Sequence, residues 1–329
     1  QDVELKIISG DNPVTVSSIA RQAGLPGADS YIDASTLPDE EALKEAAGKY
    51  AIFGRVSPLQ KRQLVHALQG QGHTVAMTGD GVNDVLALKD ADCSIAMASG
   101  SDAARQISQL VLLDSNFSAL PSVVMEGRRV VNNITRTSVL FLVKTIFSFL
   151  LSFLALVFSM PYPFVPIQLS LISAVVEGIP SFFLTFEPNH ERLQGNFLST
   201  VLRQAFPCAL VIVLNIVLAD QLAPLLHIPE LELQTLVVYL TAAVWLYQLL
   251  RVCLPLTRLR AVLWGGMVGL FCVSIYFFRD FFHVGTLTRT SLPLFLLLAA
   301  AGMALYTLLA FLLERAAAAR LRRKAGGAR

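Results

Sequence analysis

The sequence predicts an α/β unit built on a parallel sheet, followed by an all-α bundle of six transmembrane helices. Three observations carry that reading. Strand-like and helix-like stretches alternate through about the first 115 residues. Six apolar stretches of about 20 residues each follow, the length that crosses a bilayer. The charge balance also reverses along the chain. Residues 1–136 hold 12 Lys/Arg against 16 Asp/Glu, and residues 137–329 hold 14 against 8. The 329 residues are 54% hydrophobic and 15% charged, with a mean hydropathy of +0.59. That is too apolar for an ordinary soluble protein. An acidic first part joined to a basic, hydrophobic second part reads as a cytosolic domain followed by a membrane domain. The first residue is Gln1, and the chain enters directly on "DVELKIISGDN". This reads as the middle of a domain, so a fragment is expected. Cys93, Cys208, Cys253 and Cys272 have no paired spacing, which points away from a disulfide framework and from a zinc site. No signal peptide is visible, and no nucleic-acid partner is expected.

The elements follow in order. "VELKIIS" (3–9) is a short apolar run that leads into "GDN". "PVTVSSIARQAG" (13–24) has helical spacing and a glycine stop. "EEALKEAAGKY" (40–50) is a second helix and "AIFGRV" (51–56) a second strand. "SPLQKRQLVHALQGQG" (57–72) is a third helix. Ser57 is placed to cap it, Pro58 sits in its first turn, and Gly70 or Gly72 ends it. Then come a strand in "HTVAMTGD" (73–80), a helix in "VNDVLALKDA" (82–91) and a strand in "CSIAMA" (93–98). A helix in "DAARQISQL" (102–110) and a strand in "VLLDS" (111–115) close the series. The alternation implies one parallel sheet with helices on both faces. Ligands of such sheets bind at the carboxyl ends of the strands. Both "SGD" (9–11) and "TGDGVND" (78–84) sit there, directly after their strands.

Asp80 follows a strand, and Asp84 lies one helical turn on. With Asn83 beside them they form a hard-oxygen site suited to Mg²⁺, which takes one or two carboxylates plus water and phosphate oxygens. Gly79 and Gly81 permit a tight backbone and close approach of a phosphate, and the first turn of the next helix offers N–H groups to an anion. Ser9 and Gly10 bring a hydroxyl and an amide to a neighbouring strand end, and Lys61 brings a positive charge. Hydroxyl, lysine and magnesium carboxylate converging on one strand edge make a phosphoryl-transfer constellation. An Asp-Gly-x-Asn-Asp run alone is a common turn or helix cap, and a lone lysine is commonly a solvated one. The calcium-loop spacing and the dinucleotide glycine fingerprint both fail here. Three such elements in order, ahead of a membrane domain, favour the chemical reading.

The six apolar stretches cover about 138–159, 164–186, 203–222, 233–254, 259–279 and 291–313. Starting from a cytosolic domain, six spans return the C-terminus to the cytosol. The expected inner segments carry Arg192 and Arg203, then Arg251, Arg258 and Arg260, then the tail "RLRRKAGGAR". The outer segments "MPYPF" and "APLLHIPELE" carry no Lys or Arg, and the third outer segment has Arg279 and Arg289. The pattern meets the positive-inside rule, and the tail could also touch anionic lipid. Charges inside spans mark function by default. Lys144 lies in the first span. Glu177 lies mid-span in "SLISAVVEGIPSFFLTFEPN" (170–189), with Gly178 and Pro180 after it. A proline there removes a backbone bond and frees a carbonyl, which beside a buried carboxylate is what a desolvated cation needs. A packing kink is the structural alternative. Glu187 is expected at the cytosolic edge and Asp220 at the outer interface.

"TGDGVNDVLALKDAD" (78–92) resembles the hinge motif of the P-type ATPases, members of the haloacid dehalogenase superfamily. "ISGDN" (8–12) is similar to that family's second phosphatase motif, Lys61 in "RVSPLQK" to its lysine motif, and "VVNNI" (130–134) to the stalk entering its fifth membrane helix. The resemblance covers essentially the whole chain. It implies part of a Rossmann-like phosphorylation domain over 1–128, a stalk over 129–137, six transmembrane helices over 138–314 and a basic cytosolic tail over 315–329. By resemblance, Asp80 binds Mg²⁺, Asp84 and Asn83 hold the metal and phosphate site together, and Lys61 pairs with the phosphoryl group. Ser9, where the family usually has Thr, and Gly10 contact phosphate oxygens, while Asp11 shapes the loop.

"EGIP" (177–180) sits where calcium pumps of the family carry an Asp-Gly-Leu-Pro motif. Glu177 then matches a ligand aspartate, Ser173 a ligand asparagine and Val176 a ligand threonine. Thr145 and Ser148 fall on ligand asparagine and glutamate positions. Ser148 is thus a departure, with Lys144 nearby. This implies one divalent ion at most, or a countertransport role for the lysine. The expected protein is the C-terminal half of an ATP-driven cation pump of a bacterial plasma membrane, with Ca²⁺ the leading ion and Mg²⁺, Mn²⁺, K⁺ or H⁺ as alternatives. Its partners would be the transported cation, the lipid bilayer and the pump's N-terminal half. In the family mechanism ATP phosphorylates an aspartate in an Asp-Lys-Thr-Gly motif. That motif, the nucleotide-binding and actuator domains and four further helices are not in these 329 residues, so the chain alone should not pump. A membrane-anchored phosphatase of the same superfamily is the rival reading, and a non-catalytic membrane subunit a second.

Overall fold

The computed structural model describes residues 3–158, 161–189, 191 and 196–326, with side chains in the last helix described as far as Ala319. Arg192 and the side chains of the basic tail lie outside the described residues. The chain divides into two compact units, Gln1–Val124 and Met125–Arg329.

The first unit runs β1 (Ile7–Ile8), α1 (Pro13–Gln22), β2 (Tyr31–Asp33), α2 (Glu40–Lys49), β3 (Ile52–Gly54), α3 (Pro58–Gly70), β4 (Ala76–Gly79), α4 (Val85–Asp90), β5 (Cys93–Met97), α5 (Asp102–Ile107) and β6 (Leu110–Leu112). Helix starts are written locally. Asn12 accepts from the Val14 N–H before Pro13 opens α1. Ser57 and Gln60 form a reciprocal capping box before α3, with Pro58 in the first turn. Ser101 caps α5.

The strands form two parallel three-stranded sheets, ordered β1-β3-β2 and β4-β5-β6, rather than one. Among the described residues no ladder joins β1 to β4, and both are edges. β2 was not expected. Its "YID" has no apolar run and an exposed Tyr31. It becomes a strand by pairing with β3, Tyr31 opposite Ile52 and Asp33 opposite Gly54. The helix expected over 102–110 ends at Ile107, because Leu110 pairs with Ile95 in β6. The central strands β3 and β5 are the most buried, as parallel sheets covered on both faces require. α3 serves both cores. Leu64 packs with Phe53 and Leu43, and its neighbour Val65 with Met77 and Leu88.

The second unit contains α6 (Leu120–Phe158), α7 (Pro166–Ser173), a π-helical turn (Ala174–Gly178), α8 (Ile179–Thr185), α9 (Phe197–Leu222), α10 (Glu230–Val252), α11 (Arg258–Phe278) and α12 (Ser291–Gly326). Among the described residues, six helical stretches are long and apolar enough to cross a membrane, the second being α7, the π turn and α8 together. α6 runs unbroken through 129–137, the expected stalk, into the first span. α10 is the most enclosed span and α11 the least. Trp245 of α10 is fully buried, edge-on to Phe147 of α6.

A polar clamp closes the end of α8. The Nε of Arg260 donates to both carboxylate oxygens of Glu187, at 2.7 and 2.8 Å, and Arg136 reaches one of them at 3.2 Å. Asn133 donates to the carbonyls of Thr185 and Glu187, at 3.0 and 2.9 Å. These carbonyls at a helix end have no intrahelical donor, so the amide supplies one.

Gly54 ends β3 where α1 begins. A Cβ there would lie 2.4 Å from the Pro13 nitrogen, against backbone that has no slack. Gly54→Ala should therefore destabilise the first unit by about 1–3 kcal/mol, the usual cost of overpacking. Hydrogen exchange at α1 and β3 amides in detergent-solubilised chain checks this: protection should fall there and stay unchanged in α10.

Candidate functional site

The loop after β1 is held from the end of β3. The Val56 N–H donates to the Ser9 carbonyl at 3.0 Å and the Arg55 N–H to the Asp11 carbonyl at 2.8 Å. Within the loop, the Ser9 hydroxyl donates to Asp11 Oδ2 and accepts from the Asp11 N–H, both at 3.1 Å. Gly10 stands in open space. The result is an exposed turn whose Gly10 N–H has no partner among the described residues and whose hydroxyl is oriented by Asp11.

The turn after β4 is organised around Asp84, which is 6% exposed. Its Oδ1 accepts from Lys61 Nζ at 2.6 Å and its Oδ2 from the Gly81 N–H at 3.2 Å. Gly79 is required here for Asp84. A Cβ at Gly79 would fall 2.6 Å from the Asp84 Cβ. Lys61, near the start of α3, is thus paired with a carboxylate of the β4 turn, and both side chains are largely buried. Asp80 and Asn83 are exposed, and neither side chain has a hydrogen bond or ion pair among the described residues. Lys61, Gly79, Gly81 and Asp84 are therefore brought together, with Asp80 and Asn83 on their open side. Among the described residues no hydrogen bond or ion pair joins this group to Ser9, Gly10 or Asp11.

Two residues escaped the sequence reading. The Ser101 N–H donates to the Asp80 carbonyl at 2.7 Å, and a Cβ on Gly100 would lie 2.7 Å from that same oxygen. The loop after β5 thus fixes the backbone of Asp80. The available signal was "ASGSD" (98–102), a glycine-bearing loop directly after a strand, like the two motifs already singled out.

The donor set suits a magnesium ion. Asp80 offers a hard, exposed, uncommitted carboxylate whose backbone is fixed, and Mg²⁺ needs only one or two protein carboxylates. Among the described residues there is no cluster of three or more His, Cys, Asp or Glu of the kind a closed metal cage uses.

In the second unit, Glu177 sits in the π turn, buried, with Lys144 Nζ of α6 3.7 Å from its Oε2. Among the described residues, Glu177 Oε1 and the hydroxyls of Ser173 and Ser181 are buried with no hydrogen-bond partner. Pro180 has no N–H, and the Ile179 N–H bonds five residues back to Ala174. The expected loss of a backbone bond thus takes the form of a π turn around Glu177. Ser148 lies one turn after Lys144. Thr145 is not part of this group: it is exposed, and its hydroxyl bonds the Phe141 carbonyl of its own helix.

A family model for haloacid dehalogenase-like hydrolases matches residues 2–92. Over 305 residues, 90% of its length, the chain is 46% identical to a probable cation-transporting ATPase of Streptococcus pneumoniae. The chain belongs to the P-type ATPase family. It is also 49% identical over 223 residues, 64% of its length, to a calcium-transporting ATPase of Mycolicibacterium smegmatis, and 36% identical over 186 residues, 55% of its length, to one of Bacillus subtilis. It spans 39% of the Streptococcus relative and 28% and 21% of the other two. The P-type ATPase motifs read from the sequence fall on the described turns after β1 and β4 and on α3.

Breaking a buried ion pair from one side strands a charge. Lys61→Met should therefore destabilise the first unit by about 3 kcal/mol, and adding Asp84→Leu should recover part of the loss. Denaturant titrations of the two variants in detergent check the order.

Proposed function

We propose that this chain is the phosphate-handling and ion-binding part of an ATP-driven cation pump, with Ca²⁺ the transported ion. The single observation that carries the reading is Glu177, a mid-membrane carboxylate with one unpartnered oxygen in a π-helical turn, on a chain that also bears the Lys61–Asp84 turn. Membrane carboxylates of this kind mark ion paths. The names of the Mycolicibacterium and Bacillus relatives support calcium.

In this reading the γ-phosphoryl group of ATP passes to an aspartate on a part of the pump outside this sequence, and water later hydrolyses the aspartyl phosphate. β1 and β4 are open sheet edges that end in site residues, so a strand carrying that aspartate has an edge to pair with. Ser9 and the Gly10 amide contact phosphoryl oxygens. Lys61 lies between Asp84 and the phosphoryl group and offsets the charge that develops in transfer. Asp84 positions Lys61, and the Gly100–Ser101 loop positions Asp80. Asp80 holds Mg²⁺, with Asn83 and Asp84 supporting the site, and the ion supplies charge neutralisation to the transferring phosphoryl group.

The transported cation takes Glu177 together with Ser173 and Ser148, and the break at Pro180 leaves a backbone carbonyl to help. Lys144 is 41% exposed and Thr145 is exposed on a helix that crosses the membrane. Such a polar face is costly against lipid, and further helices of the whole pump cover it. The pump lies in the plasma (inner) membrane with its first unit and C-terminus in the cytosol, as the basic inner segments favour.

In the complete pump, Asp80→Asn should lower Mg²⁺-dependent turnover about a hundredfold or more; wild-type turnover would remove Asp80 from the metal site. Acid-stable phosphoenzyme formed from ATP should rise on titration with Ca²⁺ and not with Mn²⁺, K⁺ or H⁺. A response to another ion alone would keep the pump and replace its substrate. Glu177→Gln should weaken the ion activation yet still accept phosphate from inorganic phosphate. Unchanged ion dependence would make Glu177 structural.

A further inference from the structure

We infer that a cavity between α6, α9 and α10 binds a small organic cation, an ammonium that carries an apolar group. The site is separate from Glu177 and from the turns after β1 and β4, and it does not rest on the reading of the chain as a pump.

The cavity lies where α6 and α9 end and α10 begins. Its volume is about 120 Å³, room for about ten water-sized groups. The floor is apolar. Leu151 of α6, Ile216 of α9 and Val237 of α10 line it, and each is buried. Two carboxylates line the same space, Asp220 near the end of α9 and Glu230 at the start of α10. Asp220 is half-buried, and among the described residues its partner is the neighbouring Gln221 amide at 3.3 Å. Glu230 is exposed and has no hydrogen bond or ion pair among the described residues. No Lys, Arg or His lines the cavity. Tyr162, from the segment between α6 and α7, adds an aromatic wall, and the face of such a ring attracts an ammonium.

These walls select by chemistry. A neutral apolar molecule fits the floor but displaces water from two carboxylates and gives nothing back. A phospholipid headgroup brings a phosphate against two negative charges, and like charges repel. A hard divalent ion needs about six oxygen ligands. The apolar floor supplies none, and among the described residues no group of three or more His, Cys, Asp or Glu exists. An organic ammonium satisfies both parts of the cavity. Its apolar group takes the place of water over Leu151, Ile216 and Val237, and its charge lies between Asp220, Glu230 and the Tyr162 ring. Pockets of this make-up, apolar with a few convergent polar groups, are the common form of a small-molecule site.

The test dialyses the complete protein, in lipid nanodiscs, against radiolabelled benzyltrimethylammonium. Empty nanodiscs give the partition into lipid. Nanodiscs leave both membrane faces open, and binding is read without turnover, so failure of the pump reading would not touch the result. Saturable binding with Kd on the order of 1 mM is expected for a ligand of this size. Benzyl alcohol, a ring without the charge, and tetramethylammonium, the charge without a ring, should each compete at least about tenfold more weakly. Asp220→Asn and Glu230→Gln should each weaken binding about threefold, as for a solvent-accessible ion pair, and together about tenfold. Ala155→Phe, which fills the cavity from α6, should abolish saturable binding. Unchanged thermal unfolding midpoints confirm that the variants are folded. No saturable binding above empty nanodiscs overturns the proposal. Unchanged affinity in the Asp220→Asn, Glu230→Gln double variant also overturns it, by placing the bound cation elsewhere. Benzyl alcohol competing as well as the ammonium would make the cavity merely apolar. Displacement by Ca²⁺, but not by NaCl of equal ionic strength, would make it a metal site. Either of these last results overturns the proposal too.

Discussion

Lys61 and Asp84 make the contact on which the site of the first unit depends. The two side chains lie 2.6 Å apart, 13% and 9% exposed. At that burial each charge is tolerable only because the other is present. The consequences spread outward. Asp84 must sit against β4, so Gly79 has no room for a side chain. Its second oxygen takes the Gly81 N–H and shapes the turn that presents Asp80. Lys61 belongs to α3, which also sends Leu64 into one core and Val65 into the other. One helix thus packs both sheets and supplies the cation of the site. A change at this pair is felt in packing as well as in chemistry.

The second unit answers a different constraint. Where water is scarce, each polar group needs a partner inside the protein. Glu187 obeys this fully, with Arg260 and Arg136 on its carboxylate and Asn133 on its carbonyl. Glu177 does not, because one of its oxygens and two neighbouring hydroxyls have no partner among the described residues. Two glutamates ten residues apart thus differ: among the described residues both carboxylate oxygens of Glu187 have partners and Oε1 of Glu177 has none. Glu187 ties α6, α8 and α11 together at a helix end, and Glu177 lies within a π turn that Pro180 helps to produce.

The chain belongs to the P-type ATPase family, and its two carboxylate sites lie in different units. In the proposed reading, one site handles phosphate and the other the cation. The chain spans 39% of the Streptococcus relative. Both sites have open sides: the free edges of β1 and β4, and the polar face of α6 around Lys144 and Thr145.

Local chemistry was enough to read a good part of this from the sequence. The α3 start is written in Ser57, Pro58 and Gln60, which act within one turn of each other. The spans are written in about 20 consecutive apolar residues, because a bilayer demands nothing else of them. "TGDGVND" could be read because its residues meet in a single turn. What the sequence did not disclose were contacts between segments far apart in the chain. β2 exists by pairing with β3. One expected sheet proved to be two, because pairing at a strand edge depends on neighbours that no local pattern encodes. Lys61 and Asp84, taken singly as phosphate and metal residues, are partners across 23 positions. Gly100 and Ser101 matter only because their loop reaches Asp80. Thr145 is exposed, and its hydroxyl bonds within its own helix. Propensity, capping and hydropathy act over a few residues and belong to the sequence by itself. Which buried charge meets which is decided only when distant segments pack, since desolvation makes a partner obligatory without saying where along the chain it lies.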